Sequence, residues 1–154
     1  MTCTFFGQRD TPQDAFLPLQ GILIDLIENH QADTFYIGNQ GNFDNMVRRS
    51  LQWLQRKYPH ITYAVVLAYR PSKQVGGDLK TYSDTIYPAE LVGTPPKFAI
   101  SKRNRWLVEH SDTVITYVHR SHGGAAQYEA LARSRNKTVI NVAKTLPSPK
   151  NPTV

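Results

Sequence analysis

Phe35-Tyr36-Ile37-Gly38-Asn39-Gln40-Gly41-Asn42-Phe43-Asp44 is the stretch that decides the fold: a strand-like run breaks at glycine and leads straight into a helix. A second stretch repeats the pattern, Thr113-Val114-Ile115-Thr116-Tyr117-Val118 followed by His119-Arg120-Ser121-His122-Gly123-Gly124. Glycine lets the backbone turn tightly and approach a ligand closely, and the next helix points free N–H groups and its positive dipole end at whatever sits there. In a parallel α/β sheet that edge is where nucleotides and phosphates bind. Two such loops in one small chain predict a ligand crevice.

The flanking sequence supplies the rest of a sheet. Thr2 to Phe6 is rich in β-formers and stops at Gly7, a first strand, and Gln8-Arg9-Asp10-Thr11-Pro12 is a polar loop. Leu17 to His30 carries Leu19, Leu23, Leu26 and Ile27 at helical spacing, with Pro18 in the first turn, where its missing N–H costs nothing. Thr34 to Ile37 reads as a second strand and Phe43 to Lys57 as a second helix, with Asp44 suited to its first turn. The unbroken apolar core of Ile61 to Tyr69 predicts a strand buried on both faces. From Arg70 to Lys97 the pattern fails, in a stretch holding Pro71, Gly76, Gly77, Pro88, Gly93, Pro95 and Pro96 around Tyr82-Ser83-Asp84-Thr85-Ile86-Tyr87. An insertion of this composition reads as a functional loop or a mobile one. A helix over Ala99 to Glu109, a fourth strand over Asp112 to Val118, a helix over Ala125 to Arg135 and a fifth strand over Lys137 to Val142 follow.

Strands alternating with helices predict a single Rossmann-like, doubly wound parallel sheet of about five strands, with right-handed crossovers and helices on both faces. The ligand-binding domain is expected over 1–143, with 144–154, marked by Pro147, Pro149 and Pro152, as a flexible tail. The topological switch point should lie between the first and fourth strands and bring together Gly7 to Asp10, Gly38 to Gly41 and His119 to Gly124.

At 154 residues and 17.5 kDa the chain suits one compact domain. Its apolar stretches, such as Ile22 to Ile27, are far short of a membrane span, and its start lacks a signal-peptide pattern. The lone Cys3 excludes an internal disulfide, fits a reducing cytoplasm and reads as a buried structural thiol. The net charge of +6 is spread over Arg48, Arg49, Arg56, Lys57, Lys102, Arg103 and Arg105 rather than gathered in one run. Such a surplus suits nucleic acid, a membrane surface or a small phosphorylated ligand. Nucleic acid is the less favoured partner, because no basic stripe interleaved with aromatics is visible in the sequence.

The loops hold the candidate ligand contacts. Gly38-Asn39-Gln40-Gly41 lacks the full dinucleotide fingerprint, and its place at a strand's carboxyl end carries the reading. In the second loop Arg120 is suited to pair with a phosphate, Ser121 to donate a hydrogen bond, and Gly123 and Gly124 to expose backbone. Gly7, Arg9, Asp10 and Asp44 complete the expected lining. His119 and His122 lack the further ligands a zinc site needs, so no metal is expected, and no cofactor. Arg103 projects toward the crevice while Ile100, Trp106 and Leu107 supply the buried side of its helix. Glu129 faces either a ligand's ribose or an ordinary surface ion pair.

Together, Thr4-Phe5-Phe6-Gly7-Gln8-Arg9-Asp10, the Gly38 stretch, Tyr82-Ser83-Asp84-Thr85-Ile86-Tyr87-Pro88, Lys102-Arg103-Asn104-Arg105 and Ser121-His122-Gly123-Gly124-Ala125-Ala126 resemble a bacterial and phage branch of the SLOG superfamily. The resemblance runs from about Thr2 to Val142. It implies a Rossmann-like fold that binds nucleotides or their derivatives, including NAD-derived and ADP-ribose-like signals, in the manner of a sensor or sequestering protein of anti-phage defence or counter-defence. It also implies a homodimer, for which Trp53 and Leu54 are candidate contacts. LOG enzymes of this superfamily cleave the N-glycosidic bond of nucleoside monophosphates with an arginine and a glutamate. By this resemblance Arg103 and Glu129 are the candidate catalytic pair. The LOG phosphate loop begins Pro-Gly-Gly and carries a Gly-Thr pair; His122-Gly123-Gly124-Ala125-Ala126-Gln127-Tyr128-Glu129 has neither, and its glutamate comes one residue early. One residue on a helix is a rotation of about 100°, which weighs toward binding, with hydrolysis as the alternative.

Overall fold

The protein is described by a computed structural model over residues 1–71 and 84–145. Gly76 and Gly77 of the insertion, Tyr82 and Ser83 of the family-like motif, and positions 146–154 of the expected tail lie outside the described residues. The chain runs β1 (Thr2–Gly7), α1 (Phe16–Asn29), β2 (Thr34–Ile37), α2 (Gly41–Lys57), β3 (Thr62–Val66), β4 (Thr85–Ile86), α3 (Pro96–Glu109), β5 (Thr113–Tyr117), α4 (Gly124–Ser134) and β6 (Thr138–Asn141). Short 3₁₀ turns precede α1 and α3, and another covers Val142–Lys144.

Among the described residues the strands form one sheet in the order β4-β3-β2-β1-β5-β6, and every pair is parallel. Period-two alternation sends successive side chains to opposite faces. Cys3 and Phe5 of β1, Phe35 and Ile37 of β2, and Ile115 and Tyr117 of β5 meet Leu19, Leu23, Met46 and Leu51 of α1 and α2. Phe6, Val66 and Val114 turn the other way, onto Leu107 and Val108 of α3 and Tyr128 and Ala132 of α4. Helices therefore cover both faces, as expected of a doubly wound sheet. The chain fills β1 to β4 on one side, then crosses to the far side of β1 to lay down β5 and β6. The switch point thus falls between β1 and β5, where Gly7 pairs with Tyr117.

The sheet expected at about five strands has six among the described residues. β4 is a two-residue edge strand inside the insertion, paired at Val65–Thr85 and Val66–Ile86. Its residues carry no periodic signal of their own, because docking on β3 rather than local preference makes them a strand. The carboxylate of Asp84, beside β4, accepts from Arg48 Nε at 2.9 Å and Nη2 at 2.6 Å on α2, and from the Tyr63 hydroxyl at 2.9 Å. Gly7 has a packing role: a β-carbon there would lie 2.2 Å from Phe43 Cβ, so the start of α2 can press against β1 only if residue 7 has no side chain.

Candidate functional site

A cleft of about 600 Å³ opens at the carboxyl end of the sheet, over the switch point. Its size is that of a small-molecule pocket. Gly7, Gln8 and Arg9 after β1, Gly38 and Gln40 after β2, Asp44 of α2, Lys97, Ser101, Arg103 and Asn104 of α3, and Arg120, His122, Gly123 and Gly124 before and at α4 line it. Three loops that the sequence reading singles out are thereby brought together.

Arg103 forms the base of the cleft. It is 2% exposed, and Nη1 donates to the Val66 carbonyl at 3.0 Å and to Asn39 Oδ1 at 3.1 Å. Nε donates to Asn104 Oδ1 at 2.8 Å. Burial pushes its pKa down, opposed by the negative charge of Asp44, but a guanidinium stays charged throughout the working range. The site therefore holds a fixed positive charge at low dielectric, where its attraction for an anion is least screened. Asn39 serves this arginine and is not among the lining residues.

Asp44 also lines the cleft, 9% exposed, and its Oδ2 accepts from the Gln40 N–H at 2.9 Å, fixing the Gly38–Gly41 turn. Burial pushes its carboxyl up to about 6, against the lowering effects of the Gln40 N–H and the Arg103 charge. Gly41 adopts φ +88° and packs on the Arg9 backbone, so it shapes the turn from behind.

The α4 end of the cleft is open backbone. Gly123 is the N-cap at φ 97°, in the region that favours glycine, and no side chain caps the helix. A β-carbon at Gly123 or Gly124 would meet nothing within 4 Å, so the first-turn N–H groups face accessible space. Gln8 holds this loop in place: its Oε1 accepts from the His119 N–H at 3.1 Å and its Nε2 donates to the Arg120 carbonyl at 3.2 Å. Arg120 lines the mouth, but its guanidinium already grips Asp10 at 2.7 and 3.0 Å. That hydrogen bond lowers the Asp10 pKa and raises that of Arg120. Ser121 is exposed and not among the lining residues. Among the described residues no three metal-ligating side chains cluster, and no helix is long and apolar enough to cross a membrane.

Glu129 stands elsewhere. Its carboxylate accepts from the Thr116 hydroxyl on β5 and lies 3.7 Å from Arg133 Nη2, one turn on, and it does not line the cleft. The sequence reading missed Lys97, Ser101, Asn104 and Tyr128 as lining residues. A signal existed for α3: Lys97, Ile100, Ser101 and Asn104 recur at three- and four-residue spacing, one face of a helix that also carries Arg103.

No protein-family model matches the chain. A search of curated proteins likewise finds no match. Among solved structures, the chain is similar to the X-ray structure of DNA processing protein A (DprA) from Streptococcus pneumoniae, with TM-score 0.63 at 16% sequence identity. The match covers 90% of this chain and 48% of that one, so the chain spans about half the length of the protein it matches. At this identity the likeness shows the fold alone, a Rossmann-like parallel sheet with the cleft over its switch point.

Proposed function

We propose that this SLOG-like domain binds a nucleotide-derived, phosphate-bearing small molecule in the switch-point cleft, of the NAD-derived or ADP-ribose-like kind, as a sensor or sequestering protein. The observation that carries the proposal is the pairing, in one cleft, of a buried guanidinium with an uncapped helix N-terminus whose glycines leave the backbone open. The helix N-terminus favours an anion, and the guanidinium offers a charged donor to an oxygen of the same ligand. Arg9 and Lys97 add positive charge at the mouth, where Arg120 is already paired with Asp10. The place of Glu129, bonded to Thr116 and Arg133, favours holding a ligand over LOG-like hydrolysis. Native mass spectrometry for a retained small molecule, followed by a thermal-shift panel of nucleotides and NAD derivatives, tests the reading. Stabilisation by phosphate-bearing nucleotides but not by nucleosides is expected, and no stabilisation by any of them would overturn it. Turnover of a nucleoside monophosphate would establish the hydrolase instead.

Nucleic-acid association is the second reading, and one observation favours it. The sequence shows no basic stripe interleaved with aromatics, yet α2 exposes Trp53 at 52% between Arg49 and Arg56, about one turn to either side. Stacking of a base on Trp53 would quench its fluorescence on titration with a single-stranded oligonucleotide. Unchanged fluorescence and no gel shift would leave the cleft reading alone. Self-association is part of the first proposal. Leu54 is fully buried in the core and unavailable to a partner, which leaves Trp53 as the apolar contact on this helix.

A further inference from the structure

The base of the cleft sets two opposite charges side by side without a hydrogen bond between them. Asp44 Oδ2 accepts from the Gln40 N–H, and Arg103 uses Nε and Nη1 on Asn104, Asn39 and Val66. Among the described residues Asp44 Oδ2 accepts from the Gln40 N–H alone and so keeps a second lone pair, and Arg103 Nη2 makes no hydrogen bond; both are left for whatever enters. Gly38 lies between the two groups. A β-carbon there would stand 2.9 Å from Asp44 Oδ2 and 3.6 Å from Arg103 Nη2, so the missing side chain opens one hollow onto both.

Electrostatics decides what suits that hollow. A phosphate is drawn by Arg103 and repelled by Asp44 at similar range, and an amine meets the reverse. A hydroxyl satisfies both at once: its proton is donated to the carboxylate while its oxygen accepts from the guanidinium. Resting on the nucleotide reading above, we infer that the hollow over Gly38 is a sugar-hydroxyl site in which Asp44 selects ribose over deoxyribose. The ligand's anion is then left to the α4 end, where no carboxylate lines the cleft.

The test is titration calorimetry of AMP, 2′-deoxy-AMP, 3′-deoxy-AMP and ADP-ribose against the unaltered protein and Asp44→Asn. The asparagine keeps an oxygen for the Gln40 N–H, and the deoxy ligands probe the unaltered chain, so neither arm depends on a disrupted fold. Loss of one sugar hydroxyl is expected to weaken binding about tenfold or more in the parent, and Asp44→Asn to reduce that preference to about twofold or less. The sign of the pH dependence is a second readout. A hydroxyl donating to the carboxylate favours its ionised form, so parent binding should tighten relative to Asp44→Asn as pH rises through about 6. An anion seated there would make the difference run the other way. Arg103 of α3 is the charge that bears on Asp44, while Arg9, Lys97, Arg120 and His122 also line the cleft; all five are common to both proteins and cancel in the comparison. Equal binding of ribo- and deoxyribonucleotides, a preference that survives in Asp44→Asn, or the opposite pH sign overturns the inference while the nucleotide reading stands. Binding by no member of the panel overturns both.

Discussion

Arg103 and Asp44 show how burial turns ordinary side chains into a site. If Arg103 donates a charged hydrogen bond to the ligand, Arg103→Ala should cost on the order of 1.5–3 kcal/mol of binding, roughly tenfold to a hundredfold in affinity. Gly123→Val should lose at least as much, because its φ of 97° disfavours a branched side chain and the added methyls would fill the approach to α4. Glu129→Ala should cost less than either, since that carboxylate faces Thr116 and Arg133. Calorimetry on the three variants, each first shown to fold, checks the ranking; equal binding by all three would place the site elsewhere. Asp44 also carries a stability prediction. Its folded-state pKa of about 6 lies above the ordinary 3.8, so its contribution is fully present below the ordinary value and is lost as pH rises through about 6. Asp44→Asn, which cannot ionise, should therefore be more stable than the parent at pH 7, by at most roughly 3 kcal/mol. The two should converge near pH 4 in urea titrations, and a variant less stable at neutral pH would refute the assignment.

At the scale of elements, β4 is a strand made by its tertiary contacts. Val65 N–H donates to the Asp84 carbonyl at 2.7 Å and Leu67 N–H to the Ile86 carbonyl at 2.9 Å, while the Arg48–Asp84–Tyr63 cluster clamps the segment onto α2 and β3. Arg48→Ala would leave a largely buried carboxylate with only the tyrosine, at a cost of about 1–3 kcal/mol. Hydrogen exchange should accelerate at Val65 and Leu67 while the β1–β5 ladder keeps its protection; uniform loss across the sheet would show that the clamp supports more than its own edge. At the other end of the scale of tolerance, the β1–α2 contact leaves no slack. Gly7→Ala would drive a β-carbon to within 2.2 Å of Phe43, and α2 would have to move as a body. Overpacking of this kind costs about 1–3 kcal/mol or more. Reduced melting temperature together with impaired ligand binding is the expected result, since the turn after β1 lines the cleft.

At the scale of the whole molecule, the fully buried Cys3, its thiol pushed up to about 12 by desolvation, reports on integrity of the sheet. Native protein should resist thiol-alkylating reagents at neutral pH, and modification should track global unfolding; rapid labelling of the folded chain would contradict its burial. The proposed homodimer predicts a sedimentation mass of two chains at micromolar concentration, weakened by Trp53→Ser. A one-chain mass across that range would remove it.

Helices, the five longer strands and the parallel sheet were legible because their signals are local: apolar residues at periods of two and 3.6, with glycine closing β1 and β2. The switch point followed from the alternation itself, since a doubly wound sheet must reverse somewhere and the glycine loops mark where. The tertiary structure alone decided the rest. Asp44 and Arg103 are distant in the chain, so neither the raised carboxyl nor the hollow over Gly38 exists until the sheet brings them together. Glu129 reads alike in sequence whether it faces a ligand or Thr116, because helical phase relative to the sheet is set by how α4 packs through Tyr128 and Ala132. Gln8 became a brace for the β5–α4 loop only when that loop arrived beside it, and Thr85–Ile86 became a strand only when β3 offered a free edge. Periodicity is written along the chain. Desolvation and hydrogen-bond partnership belong to neighbours that only the folded chain brings together.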